Sequence, residues 1–404
     1  MSIESMAADV AGRLREWDFV HVHGHHDADG IAAATIIGHA LRREGIGFRL
    51  RFHPRITPAS IEGEDHVVLC DFGAALEDLP EDTVVIDHHV PHFGGEWQVN
   101  PRLAGIDGDR DLCAAGAAYL VARALCDSRD LAGLVIPAII GDRQQCAGTN
   151  QEIVRDGIAH GYVSPEQGVR LPGRTRTEQF HMAIHPYLDG LSGDQDAVAA
   201  LISQSTAGGT EDPALLLSLA VIRSSPVTRA EALCAIFGDT YRLGREVIED
   251  AHTLFALTDA CGKAGAGGVA ASLCLRSPDF LEEAWETAYA FRLRVIEGVR
   301  EARPLESGDG FYETGDAGVA GDVADALAYD TGHGDVVVIF APTNGTCAVS
   351  ARVAPGSPVD LETVMREGAA ACGGTGGGHH SRAGAVIPAR NREAMESYLA
   401  EALP

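Results

Sequence analysis

Three short apolar runs in the first 89 residues each carry His or Asp at their end, and helical stretches alternate with them. FVHVH (19–23) leads into the helical pattern IAAATIIGHALRREG, then come HVVLCDFG (66–73) and TVVIDHH (83–89). Strand, amphipathic helix, strand is the rhythm of a parallel sheet, and such sheets bind ligands outside the carboxyl ends of their strands. A chain with this rhythm gathers HGHHDADG (23–30), CDFG (70–73) and DHH (87–89) along one edge. A fourth motif, GDR (141–143), follows the apolar run LVIPAIIGD, where Pro137 leaves open whether a strand or a helix precedes Asp142.

Each motif alone has an ordinary explanation. A D-x-D is commonly a turn or a helix N-cap, and adjacent histidines commonly sit in a solvated loop. Together they place several carboxylates at one sheet edge, where uncompensated burial would cost several kcal/mol each, so the group implies a cation. Carboxylate and imidazole donors without thiolate suit a hard or borderline divalent ion, Mn²⁺ above all, with Mg²⁺, Co²⁺ or Zn²⁺ as alternatives. The acids outnumber what one ion needs. Two ions about 3.5–4 Å apart would share one Asp as a bridge and use a bridging water for in-line attack on phosphorus. Asp71, standing alone between the other motifs, is read as that bridge.

Residues 194–303 turn helical. After ESGDGFYETGDAG, the segments DVVVIF, PTNG and TCAVSARV read as a β-hairpin, followed by a helix (361–371), a Gly loop, the strand AVIP and a final helix. The expected class is therefore α/β: a parallel-sheet domain over 1–190, a helical connector over 191–305 and a smaller α/β domain with a mixed sheet over 306–404. The loop CGGTGGGHHSRAG (372–384) lets backbone N–H groups approach a ligand closely, and His379, His380 and Arg382 add side-chain donors. It lacks the G-K-[ST] of a phosphate-binding P-loop. Arg352, taken alone, reads as a surface ion pair. Arg49, Arg51 and Arg55 fit either a phosphate track or a solvated face, His53 and His185 precede prolines as loop residues do, and Arg174 and Arg176 could line a groove.

The formal charge is −27, which argues against a general basic stripe but not against a local phosphate-binding groove. Among the 31 basic residues only Lys263 is lysine. No apolar run approaches the roughly 18 residues of a membrane span, and MSIESMAADV lacks a signal-like start, so a soluble cytoplasmic protein with no membrane partner is expected. The nine cysteines are scattered with no C-x-x-C pair and read as buried thiols.

These residues resemble the DHH phosphoesterase superfamily, and in particular its archaeal RecJ-like branch. The resemblance rests on HGHHDADG, LCDFG, VIDHH and IIGDRQ, and on the DHHA1-type pair VSAR and GGGHHSRAG. It implies an N-terminal DHH catalytic domain and a C-terminal DHHA1 substrate-binding domain, with the phosphate chain held in the cleft between them. By motif, the metal ligands would be His23, Asp27, Asp29, Asp71, His88 and Asp142, holding two Mn²⁺ ions. His23 and His25 both precede Asp27 at plausible spacing, and His23 is favoured. Asp87 would orient a ligand, and His89 would contact the scissile phosphate or protonate the leaving oxygen. Arg352, Gly377, Gly378 and His379 would grip substrate phosphates, with Arg382 added on chemical grounds.

The resemblance implies an exonuclease on single-stranded DNA or RNA. Alternatives are a nanoRNase-like enzyme for very short oligonucleotides or dinucleotides, and a replication or repair scaffold, a role compatible with an active nuclease that also docks on such a protein partner. Aminoacyl-tRNA editing and inorganic pyrophosphatase activity rank below these, the first because of the complete DHH motif and the second because of the GGGH domain.

Overall fold

The computed structural model describes all residues except 93, 208, 307–308, 331 and 355–356. The chain divides into two compact units, residues 1–168 with 239–288, and residues 169–238 with 289–404. The stretch expected as a separate connector (191–305) is therefore shared between them. Its middle part completes the first unit, because the helix Ala251–Lys263 brings Phe255 and Ala256 against Ala28 and Ile140.

In the first unit, α1 (Ile3–Leu14), β1 (Phe19–His25), α2 (Ala28–Glu44) and β2 (Gly47–His53) are followed by β3 (Val67–Cys70), β4 (Val84–Ile86) and β5 (Gln98–Val99). The helices α3 (Ala114–Leu125), α4 (Ala132–Gly141) and α5 (Gly148–Ala159) come next. The five strands are all parallel in the order β2-β1-β3-β4-β5. This order reverses direction between β1 and β3, which opens a crevice at the carboxyl ends of those two strands. Val20 and Val22 of β1 are fully buried on one face of the strand, so His21 and His23 alternate onto the other. That other face also carries an apolar cluster of Ile56, Ile61, Val67, Leu69 and Val85.

The segment left open by Pro137 is helical: α4 contains the proline, and Asp142 is its C-cap. A carboxylate at a helix C-terminus is opposed by the helix dipole, so this position is not explained by helix stability.

The second unit holds a six-stranded mixed sheet in the order Arg303–Pro304, Phe311–Glu313, Val336–Pro342, Thr346–Val353, Arg382–Pro388, Thr375–Gly378. Phe311–Glu313 and Val336–Pro342 run parallel, and the other pairs are antiparallel. Val338, Phe340, Val349, Ala351 and Ile387 bury one face against Leu361, Met365, Met395 and Leu399 from two helices. The helix Ala320–Ala328 lies against Val336–Pro342 and Thr346–Val353. The glycine segment read as a loop is a hairpin: Gly376 pairs with Ala385, Gly377 with Gly384 and Gly378 with Ala383, and His379 and Arg382 close the turn. Strand pairing wins because a backbone approach this close tolerates no Cβ at Gly378, where one would lie 2.5 Å from the Arg382 carbonyl oxygen at φ +143°.

The cysteines are free; Cys126 and Cys146 are half-buried and Cys234 is exposed, which corrects the uniform burial expected of them. Among the described residues no helix is long and apolar enough to cross a membrane.

Candidate metal centre

The crevice at the tips of β1, β3 and β4 collects the motif residues of the first unit. Asp27 is the N-cap of α2, its Oδ1 accepting from the Gly30 amide at 3.0 Å. Asp29, two residues on, is 1% exposed, and its two oxygens accept from the Ala114 and Ala115 amides at 2.8 and 2.7 Å. The first turn of α3 thus holds Asp29 in place through backbone donors that no sequence motif marks. Asp71 leaves β3 with a left-handed backbone (φ 65°), a conformation uncommon for a residue with a Cβ and more accessible to Asp than to most, and this turn aims its carboxylate into the crevice.

His88 is the hub. Its Nδ1 lies 2.6 Å from the Gly108 carbonyl, which can only accept, so Nδ1 carries a proton and Nε2 faces the carboxylates. From Nε2 the nearest oxygens of Asp71, Asp142 and Asp29 are 3.3, 3.4 and 3.6 Å away. Beside them, His25 Nδ1 lies 2.9 Å from Asp27 Oδ2 and 3.2 Å from Asp71 Oδ2. The ligand atoms of His25, Asp27 and Asp71 form one group, those of Asp29, His88 and Asp142 a second, and Asp71 faces both.

The electrostatics show a group short of positive charge. Burial, reinforced by the charge on Asp71, lifts the Asp29 carboxyl to about 7. Burial and then Asp29 push Asp142 well above the usual carboxylate range. Burial opposes charge on His88, but Asp71, Asp142 and Asp29 outweigh it and hold the imidazolium well above its usual pKa. Asp71 Oδ1 and Asp142 Oδ2 are buried and make no well-aligned hydrogen bond among the described residues, with only His88 Nε2 near them at 3.3 and 3.4 Å. Several carboxylates around one imidazole suit a cation, and an oxygen and imidazole donor set fits a divalent ion such as Mn²⁺ or Mg²⁺.

Asp87 and His89 stand next to these ligands. Asp87 is 1% exposed and accepts from the Ala74, His88 and His89 amides and from His89 Nδ1 at 2.8 Å. Against the effect of burial, His89 and these donors keep Asp87 ionised well below the carboxylate range, and Asp87 in turn raises His89.

The structure does not bring His23 into this group. Its Nε2 lies 2.7 Å from Glu64 Oε2 and its Nδ1 2.9 Å from His53 Nε2, with Arg51 also paired to Glu64. Burial, then Arg51, lowers His23 to about 4. His23 shares a strand face with His25 but sits two residues back, about 6.6 Å along β1, and only the residue at the strand tip reaches the carboxylates. His25 takes the place expected for His23. Gln144, in the IIGDRQ segment, donates through its amide to the Gly108 carbonyl at 2.9 Å, and Asn150, which no motif signals, donates to Gln144 Oε1 at 2.7 Å.

The expected phosphate-binding residues all lie in the second unit, where Arg352 and Arg382 pair across adjacent strands and both reach Asp325. A Cβ at Gly377 would meet nothing within 4 Å, so the strand presents open backbone there. Of the other arginines, Arg51 pairs with Glu64, Arg174 with Glu178 and Arg176 with Glu211, and His185 faces Asp322 at 3.6 Å.

Residues 19–142 match the DHH family, N-terminal domain, and residues 310–403 match the DHHA1 domain. An uncharacterized protein of Methanocaldococcus jannaschii is 24% identical over 93% of this chain and 90% of its own length. The single-stranded-DNA-specific exonuclease RecJ of Thermus thermophilus is 26% identical over 57% of this chain, a match that spans 39% of RecJ. The crystal structure of RecJ from Thermus thermophilus in complex with Mn²⁺ superposes over 100% of this chain and 55% of its own, with TM-score 0.58 and 19% identity. CDC45 from Entamoeba histolytica superposes over 99% and 98% of the two chains with TM-score 0.62 and 10% identity. At these identities the structural likenesses establish the fold.

Proposed function

Because this chain belongs to the DHH phosphoesterase superfamily and carries both its DHH and DHHA1 domains, we propose that it is a metal-dependent exonuclease of single-stranded DNA or RNA. The observation that carries this reading is the convergence of Asp29, Asp71 and Asp142 on His88 Nε2, with His25 and Asp27 beside Asp71. A group of this composition holds divalent cations, with Mn²⁺ the favoured ion and Mg²⁺ or Co²⁺ alternatives. His25, Asp27, Asp29, Asp71, His88 and Asp142 would hold them, Asp71 serving both groups. Bound there, such ions supply Lewis acidity toward a phosphoryl oxygen and make water a stronger nucleophile at neutral pH.

The remaining chemistry falls to the chain. Asp87 fixes the tautomer of His89 and favours its protonated form, which suits His89 to hand a proton to the departing oxygen of a phosphodiester. The Gly108 carbonyl and Gln144 keep His88 in register with the acids. Arg352, Arg382 and the open backbone at Gly377 would bind substrate phosphates, guanidinium groups being suited to them by their planar fork of donors.

The test is cleavage of end-labelled single-stranded DNA, single-stranded RNA and a dinucleotide with Mn²⁺, beside an Asp71→Ala variant. Stepwise shortening of the long strands, absent in the variant, is expected and would also give the polarity. Cutting confined to the dinucleotide would reassign the enzyme to very short oligonucleotides. No cutting of any substrate would overturn the enzymatic reading and favour a scaffold role in replication or repair.

A further inference from the structure

Arg352 and Arg382 stand directly opposite each other on antiparallel neighbouring strands. Like charges in such a cross-strand pair repel, so two guanidinium groups do not hold this geometry by themselves. The helix Ala320–Ala328 supplies the counter-charge. Asp325, 1% exposed, accepts from Arg352 Nε at 2.9 Å with Oδ1 and from Arg382 Nη2 at 3.1 Å with Oδ2. One carboxylate thus spans both arginines, each oxygen taking one donor.

Further contacts narrow the geometry. Arg352 Nη1 donates to the Ala351 carbonyl at 2.9 Å. Gly321, in the first turn of the same helix, lets that turn come close, since a Cβ there would lie 2.9 Å from Arg352 Nη2. Asp322, also buried on this helix, faces His185 at 3.6 Å, and His185, Asp322 and Asp325 offer ligand atoms within 4.8 Å of one another.

We propose that Asp325 is a positioning residue that locks Arg352 and Arg382 into a single two-guanidinium site for substrate phosphate. This rests on the reading above that the two arginines grip phosphate. Pre-organised guanidinium groups lose less freedom on binding, so the lock acts on affinity for the phosphate chain and leaves the chemistry at the carboxylates alone.

The experiment is steady-state kinetics on a single-stranded DNA oligonucleotide with Mn²⁺ for D325N, R352A, their double variant and D322N. For D325N, KM is expected to rise roughly tenfold with kcat nearly unchanged, the pattern of lost uniform binding. The double variant should be less impaired than the two single losses multiplied together, because Asp325 acts partly through Arg352, and its excess over R352A reports the hold on Arg382; fully multiplicative losses would overturn the proposal. If R352A raises KM and D325N does not, the positioning proposal falls while the phosphate-binding reading stands. If neither raises KM, that underlying reading fails. An equal rise in D322N would assign the effect to general loosening of the helix and overturn the proposal. Should D325N fail to fold, D325E keeps the charge on a longer arm, and the same rise in KM at constant kcat is expected of it; an unchanged KM would overturn the proposal.

Discussion

His25 Nδ1 lies 3.2 Å from Asp71 Oδ2, while His23, on the same face of the same strand, is turned to Glu64 and His53. Two residues of strand thus separate an imidazole at the cluster from one tied up in a hydrogen-bonded chain. Substituting them should have opposite signatures. H25A is expected to weaken Mn²⁺ binding by at least the roughly 10–100-fold that even outer-shell losses cost. H23A should leave that affinity within a few-fold but lower stability by about 1 kcal/mol, because the half-buried Glu64 and His53 each lose a hydrogen bond. Calorimetric titration with Mn²⁺ and a thermal melt of each variant decide the matter; a reversed pattern would return the ligand role to His23.

Cation binding should be visible without any substrate. With Asp29 raised by burial and Asp71, and Asp142 by burial and Asp29, a divalent ion would offset the crowding of these carboxylates. Tm should climb with Mn²⁺ concentration, by the equivalent of about 2.7 kcal/mol at a hundredfold excess over Kd, and a chelator should reverse it. A melt indifferent to Mn²⁺, Mg²⁺ and Co²⁺ would be incompatible with the metal centre.

The adjacent glycines of the hairpin should separate fold from binding. G378A forces a Cβ to 2.5 Å from the Arg382 carbonyl and should destabilise by about 1–3 kcal/mol. G377A meets open space but must hold a Cβ at φ +159°, so it should destabilise by about 1 kcal/mol, less than G378A, which carries both the strain and the clash. If Gly377 presents its backbone to phosphate, G377A should nonetheless raise KM. Equal destabilisation of both variants by chemical denaturation would contradict this division.

A buried histidine away from the metal centre sets an acid limit. His39 is 1% exposed and lies 3.0 Å from the Cys274 carbonyl through Nε2, and burial lowers it from 6.5 to about 4. Its folded pKa is below its unfolded one, so its contribution is complete above pH 6.5 and is lost as pH falls toward about 4, a change of roughly 3 kcal/mol. H39Q, which keeps an amide donor for the carbonyl, should flatten that part of the stability profile. Denaturation curves of both proteins between those pH values that run parallel would show that His39 is not the group responsible.

Much of this was legible in the residues. The alternation of apolar runs with a helical stretch marked the parallel sheet, and the position of Asp71, Asp87 and His88 after those runs marked its ligand edge. What stayed hidden depends on distance in space. His23 and His25 have the same strand parity, so periodicity cannot separate them; only the reach of the strand tip does. The helical state of α4 was masked by Pro137, and the glycine hairpin by residues whose β propensity is low. The backbone amides of Ala114 and Ala115 that grip Asp29 come from 85 and 86 residues away, and no local pattern announces a helix terminus as a partner.

The interleaving of the two units also has a meaning in time. The first unit needs residues 239–288, whose Phe255 packs on Ala28 and Ile140, yet residues 169–238 belong to its neighbour. During synthesis the sheet that carries Asp71 and His88 leaves the ribosome early, but the helix that buries Ala28 behind Asp27 emerges only after that inserted stretch. The carboxylate cluster therefore takes its final packing late, when most of the chain has been made. A ribosome that stalls midway leaves a strand edge bearing acids and no finished pocket around them.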